Sequence, residues 1–227
     1  MADLLLKAEG ITKVYHRGSE VIRAVDGVDV EMHKGEIISF VGPSGSGKTT
    51  LLHILGCLDN PTSGRLGLMG RTVFDDGKAL SERELTMLRR QVFGYVFQKF
   101  YLVPTLTVFE NVVLPSVFSK EREGGRAAEE LLALLGMGGR KDHRPGQISG
   151  GEMQRAAIAR ALVSGPAILL ADEPTGNLDS KRTEEIKDIF LRLNREKGVA
   201  LLMVTHNKDL AKISHRVLEL RDGRVVG

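Results

Sequence analysis

The chain has 227 residues, 42% hydrophobic and 27% charged, enough for one large globular domain with a sizeable core and short for two. Its net charge is only +3 and evenly spread, so no nucleic-acid partner is expected; the densest basic stretch, Arg140, Lys141, His143 and Arg144, reads as a solvated loop. No window approaches the roughly 20 apolar residues of a membrane span, the N-terminal apolar stretch is too short for a signal peptide, and Cys57 alone permits no intrachain disulfide, so a cytoplasmic location is expected.

Short strands with turn signals are predicted at 10–15 and 21–29, and another at 64–75, suggesting a small antiparallel layer. An apolar strand at 36–41 leads into Gly42-Pro43-Ser44-Gly45-Ser46-Gly47-Lys48-Thr49, which fits G-x-x-x-x-G-K-[ST], and then into a helix at 47–58. Glycines there let backbone N–H groups close around a triphosphate, helped by the positive end of the helix. Lys48 would reach the β- and γ-phosphates, and the Thr49 hydroxyl would ligate Mg²⁺.

From 106 to 163 no strand is predicted, but helices are expected at 125–135 and 150–163, a helical insert in the α/β core. Ser149 and Glu152 form an S-x-x-E capping box at the start of the second of these helices. Capping does not explain Gly150 and Gly151 in its first turn, since a helix-interior glycine costs up to about 1 kcal/mol. Two such glycines suit a backbone that comes very close to something, such as a phosphate. A strand at 167–171 then runs into Asp172 and Glu173, an arrangement that is costly for a buried strand without a cation. With Mg²⁺ present, Asp172 would hold the metal through water and Glu173 would act as general base. A helix at 181–197 and a strand at 199–205 complete the alternation, which implies a largely parallel sheet.

The phosphate loop, the segment Ser149-Gly150-Gly151-Glu152-Met153-Gln154-Arg155 and the strand ending Asp172-Glu173 resemble the Walker A, signature and Walker B motifs of ABC ATPases. Their order and spacing match along the whole chain, and the signature is what other phosphate-loop ATPases lack. Ile148 stands where the family usually has Leu, and Glu152-Met153 where it often has two amides; neither removes a catalytic group. The resemblance implies an α/β phosphate-loop (RecA-like) core at 1–97 and 165–227, a small antiparallel layer, and a helical signature subdomain at 98–164.

By the same resemblance, Gln98 would be a Mg²⁺ ligand that also senses the membrane subunit, and Asp179 would belong to the D-loop. His206 would be the switch histidine at the γ-phosphate, and Tyr15 the aromatic that stacks on adenine. Residues Gly42 to Lys48, with Thr49 and Thr50, would cradle one face of the ATP. Ser149, Gly150, Gly151 and Glu152 of a second copy would close over the other, in an ATP-dependent homodimer. A transmembrane permease subunit on a separate chain is implied, holding this one to the inner face of the membrane. Phe100, Tyr101 and Leu102 are expected to line the groove that receives a short helix of that permease.

Asn207-Lys208-Asp209 lacks the acid spacing of guanine-reading GTPases, and Glu173 with His206 argues against a merely regulatory ATP-binding subunit. An ATPase acting on DNA or ribosomes would usually carry a coiled-coil insert or a second fused domain, and neither is present. The segments 56–64 and 172–180 resemble the LolD/MacB/FtsE group, which serves lipoprotein release, macrolide or peptide export and, as the alternative outside transport, cell-division signalling.

Overall fold

The computed structural model describes residues 3–119 and 123–226. The expected boundaries at 1 and 227, and 120–122 of the expected helical part, lie outside the described residues. Two long strands, β1 (Leu4–Arg17) and β2 (Glu20–His33), form an antiparallel hairpin. They are followed by β3 (Ile37–Val41) and α1 (Lys48–Leu55), and then by β4 (Ser63–Leu68), β5 (Arg71–Asp75) and β6 (Lys78–Ala79). Next come α2 (Glu82–Val92), β7 (Phe93–Val96), α3 (Val108–Ser119), α4 (Gly124–Leu134) and α5 (Gly150–Leu162). The chain finishes with β8 (Ile168–Asp172), α6 (Ser180–Lys197), β9 (Ala200–Val204), α7 (Lys208–Ala211), β10 (Arg216–Arg221) and β11 (Arg224–Val225).

The strands make two sheets, one ordered β2-β1-β4-β5-β6 and the other β11-β10-β3-β9-β8-β7. The first is antiparallel. The second is parallel except for β11. All five residues of β9 and four of the five in β3 and β8 are buried, as expected of strands covered on both faces. Successive side chains then serve opposite cores. Ile38, Phe40, Leu170 and Leu202 pack with α1 and the antiparallel sheet. Ile37, Leu169, Leu201 and Met203 pack instead with residues of α3 to α6, such as Val112, Leu132, Ile158 and Phe190.

Several elements differ from expectation. The single strand expected at 64–75 is the hairpin β4–β5, turned by Met69 and Gly70, both at positive φ. Two residues at positive φ match strand twist, but methionine is a poor signal for such a turn. Helix α1 stops at Leu55 rather than 58, because Gly56 caps it and Cys57 follows in a left-handed conformation. A Cβ on Gly56 would lie 2.4 Å from Leu170 Cδ1, so the helix end needs glycine to press against β8. Helices α2, α3 and α7 and the β10–β11 hairpin add to the elements expected from the sequence.

Candidate nucleotide site

Strands β3, β9 and β8 are neighbours and parallel, so their C-terminal ends share one edge. That edge is where ligands of open parallel sheets bind. It carries the loop after Val41, Asp172 with Glu173, and Thr205 with His206.

The loop is built on two glycines that no other residue could replace. Gly42 (φ +146°) and Gly47 (φ +98°) have backbone conformations that L side chains avoid, and an added Cβ would sit 2.1 Å from Leu220 O and 1.9 Å from Ala24 O respectively. Gly47 also caps α1 without any side-chain acceptor, leaving the first-turn N–H groups for another partner. Lys48 Nζ is held at the centre of the loop, donating to the carbonyls of Gly42 (2.9 Å) and Pro43 (2.7 Å). Among the other predicted loop residues, Ser46 is buried, while Ser44, Gly45 and Thr49 are exposed.

Thr49 Oγ1 donates to Asp172 Oδ1 at 3.1 Å, joining the start of α1 to the end of β8. Burial pushes the Asp172 carboxyl above its ordinary value, and the neighbouring Glu173 charge adds to this against the hydrogen bond from Thr49. Glu173 has φ +46°, a strained conformation for a non-glycine residue that costs about 1–3 kcal/mol. Its N–H is fixed to Val204 O at 2.9 Å. Its Oε2 lies 2.9 Å from His206 Nδ1 and accepts from the His206 backbone N–H at 3.3 Å. The expected roles of these two residues are separate; the sheet makes them a pair.

Gln98 follows β7 and shares a cavity of about 460 Å³ with Asp172, His53, Lys99, Phe97 and Tyr101. Its carbonyl accepts from Asn177 Nδ2 at 2.9 Å, tying it to the turn after β8. His53 and Lys99 join this cavity although nothing in their local sequence marks them for it.

Ser149 caps α5 as expected: Glu152 Oε2 accepts from the Ser149 N–H and hydroxyl, each at 2.8 Å. Glu152 also takes a 2.9 Å bond from Arg140, a partner that the capping pattern does not imply. The Ser149 N–H, the Arg140 guanidinium and the Ser149 hydroxyl hold the Glu152 carboxyl down at about 2. Glu152 is therefore built as a structural anion. The two glycines part company here. A Cβ on Gly151 would meet Arg182 Cδ at 2.9 Å, so packing within the chain accounts for it. On Gly150 it would find only Leu178 Cδ2, at 3.9 Å, so nothing within the chain calls for glycine there. No hydrogen bond among the described residues joins 149–152 to 42–50. The signature helix packs instead on α3, α4 and β7.

Asp179 caps α6, accepting from Arg182 N–H at 2.9 Å, and pairs with the Arg182 guanidinium. That is a structural use, apart from any ligand. Tyr15 projects near the tip of the β1–β2 hairpin, half-exposed, with its hydroxyl donating to Asp59 at 2.9 Å and Lys13 Nζ 5.0 Å from its ring centre. Thr50 of the first turn of α1 also reaches the phenol, which sets Tyr15 beside the loop.

Residues 25–176 match the ABC transporter family. The lipoprotein-releasing system ATP-binding protein LolD of Aquifex aeolicus is 48% identical, over 100% of this chain and 98% of its own length. The chain belongs to the ABC transporter family. This ABC chain is also 44% identical to the macrolide export ATP-binding/permease protein MacB of Chlorobaculum tepidum, over 98% of its own length but only 34% of that longer protein. Its fold is that of the dimeric ABC transporter cassette MJ0796, with TM-score 0.89, 42% identity, and coverage of 98% and 97% of the two chains. A post-hydrolysis dimer of MJ0796 bound to ADP and Pi matches with TM-score 0.88. The family and fold expected from the signature segment are thus borne out. No helix among the described residues is long and apolar enough to cross a membrane.

Proposed function

We infer that this chain binds and hydrolyses ATP as the motor subunit of an ABC transporter of the LolD/MacB type, two copies closing on two ATP molecules. The observation that carries this is the set of groups on one sheet edge: the glycine loop holding Lys48, the Thr49–Asp172 contact and the Glu173–His206 pair. The site fits Mg²⁺ held jointly by protein and substrate. Among the described residues no group of three or more His, Cys, Asp or Glu could hold a metal. Magnesium needs only one or two protein carboxylates beside phosphate oxygens, and Asp172 with the Thr49 hydroxyl and the Gln98 amide offers such oxygen donors. When bound, the ion would neutralise charge building on the β- and γ-phosphate oxygens.

The chain's own groups supply the rest. Lys48 and the uncapped N–H groups of α1 bind the phosphates. Glu173 takes the proton from water as the water oxygen bonds to the γ-phosphorus and the bond to ADP breaks, releasing ADP and phosphate. His206 holds the Glu173 carboxylate in place. Gly150 leaves room for the phosphate of an ATP bound by the other copy, whose Ser149 completes the reciprocal site.

Tyr15→Ala should weaken ATP binding by about 1–3 kcal/mol, the usual worth of base stacking. Tyr15→Phe should retain it, because the ring stays and only the hydroxyl's contacts with Asp59 and Thr50 are lost. Titration of a fluorescent ATP analogue separates the two, and unchanged affinity in Tyr15→Ala would leave Tyr15 as packing alone.

The permease would hold the chain at the inner membrane face by docking in a groove of about 530 Å³ between α2, β7, α3 and α5. Phe93, Tyr95, Phe97 and Tyr101 line it. Of the three residues expected there, Tyr101 lines the groove and is 64% exposed, whereas Leu102 packs into the helical core and Phe100 is half-buried outside it. Tyr101→Asp keeps the backbone carbonyl that Arg160 grips, so ATPase activity of the isolated chain should stay largely intact while co-purification with the permease is abolished. Normal co-purification would move the docking site elsewhere.

A further inference from the structure

Arg160 lies in the last turn of α5, the helix that Ser149 begins. Its guanidinium donates to Tyr101 O at 2.5 Å and to Phe100 O at 2.8 Å, about sixty residues away in sequence. No carboxylate pairs with it among the described residues, and burial lowers its pKa, so these two carbonyls are what compensate its desolvation. They belong to a segment under strain: Tyr101 has φ +47°, which L residues avoid outside special settings. At the other end of that segment the Gln98 carbonyl is held by Asn177, and the Gln98 amide lies close enough to Gly176 that a Cβ there would come within 3.1 Å of it. Three carbonyls in four residues are therefore gripped by side chains of other elements.

We propose that Arg160 is a positioning residue for Gln98: by holding Phe100 and Tyr101 it sets where the Gln98 amide stands opposite Asp172 and ties that position to the signature helix. This rests on Gln98 serving the Mg²⁺ site as proposed above. Arg160 and Tyr101 also line the docking groove, so an occupant there would press on the same clamp.

The test compares Arg160→Gln, Arg160→Lys and Gln98→Ala in the whole chain. Hydrogen exchange without nucleotide reads the tether, and Mn²⁺ binding in the presence of a non-hydrolysable ATP analogue, by electron paramagnetic resonance, reads the metal site. Arg160→Gln should lose protection at 98–103 while α5 keeps wild-type exchange, and should weaken Mn²⁺ by about tenfold, as the loss of an outer-shell partner does. Arg160→Lys, which keeps the charge but offers one nitrogen, should show a smaller change in the same direction. Wild-type exchange at 98–103 and unchanged Mn²⁺ affinity in a folded Arg160→Gln would overturn the proposal. So would failure of Arg160→Gln to fold together with wild-type behaviour of Arg160→Lys, which would leave Arg160 a packing residue. If Gln98→Ala binds Mn²⁺ normally, the reading of Gln98 falls and this inference with it. A weakened Gln98→Ala beside a normal Arg160→Gln sinks the inference alone.

Discussion

Glu173→Gln should bind ATP as well as the parent chain and turn it over about 10²–10⁴-fold more slowly, the usual worth of a positioned general base. The amide keeps the shape of the carboxylate and one oxygen to accept from the His206 N–H, so the strained turn at φ +46° should survive. What it loses is the capacity to take a proton. Phosphate release under saturating ATP and Mg²⁺ measures this, with thermal unfolding as the control for fold. Turnover at the parent rate would remove Glu173 from the chemistry and leave its pairing with His206 a structural contact.

Lys48→Ala and Ser149→Ala should both abolish hydrolysis, but at different steps. Lys48 lies within the loop that would hold the phosphates. Its loss should weaken binding to a single chain by about 1.5–3 kcal/mol, the range for a charge-assisted hydrogen bond, or roughly ten- to a hundredfold in Kd. No hydrogen bond among the described residues joins Ser149 to that loop, so Ser149→Ala should bind ATP normally as a monomer and fail in closure. It also removes a helix cap, at a stability cost of about 0.5–2 kcal/mol, so its melting temperature should fall modestly. Equilibrium titration of a fluorescent ATP analogue distinguishes the two variants. Equal loss of affinity in both would mean that loop and signature act within one chain.

Chemistry confined to short contiguous stretches is legible in the amino-acid sequence alone. Residues 42–49 and 172–173 state their purpose because glycines at fixed spacing and paired carboxylates at a strand end have few other uses. The capping box at Ser149 is equally plain, but the division of labour between Gly150 and Gly151 is not, since it depends on the stem of Arg182 from α6. The Glu173–His206 pair is out of reach because it depends on β9 lying beside β8, a fact of sheet order. Arg160 carries no signal either, because its partners are backbone carbonyls of a distant segment. Two elements missing from the expectations do carry local signals. Helix α2 announces itself by a capping box at Ser81 and Glu84 and by Leu85, Leu88 and Val92 on one face. The Asp222-Gly223 turn marks the β10–β11 hairpin, which brings Leu220 O against the phosphate loop.

One chain holds two halves that no hydrogen bond joins among the described residues: a loop shaped for phosphate, and a helix start whose Gly150 has no use within the chain. A composite site made by two copies would employ both. Static light scattering of Glu173→Gln, with and without ATP and Mg²⁺, tests this most directly. The mass should be that of the 24.8 kDa chain without nucleotide and twice that with it, the trapped ATP holding two copies together. A mass of one chain at saturating ATP, with nucleotide shown to be bound, would contradict the two-chain site.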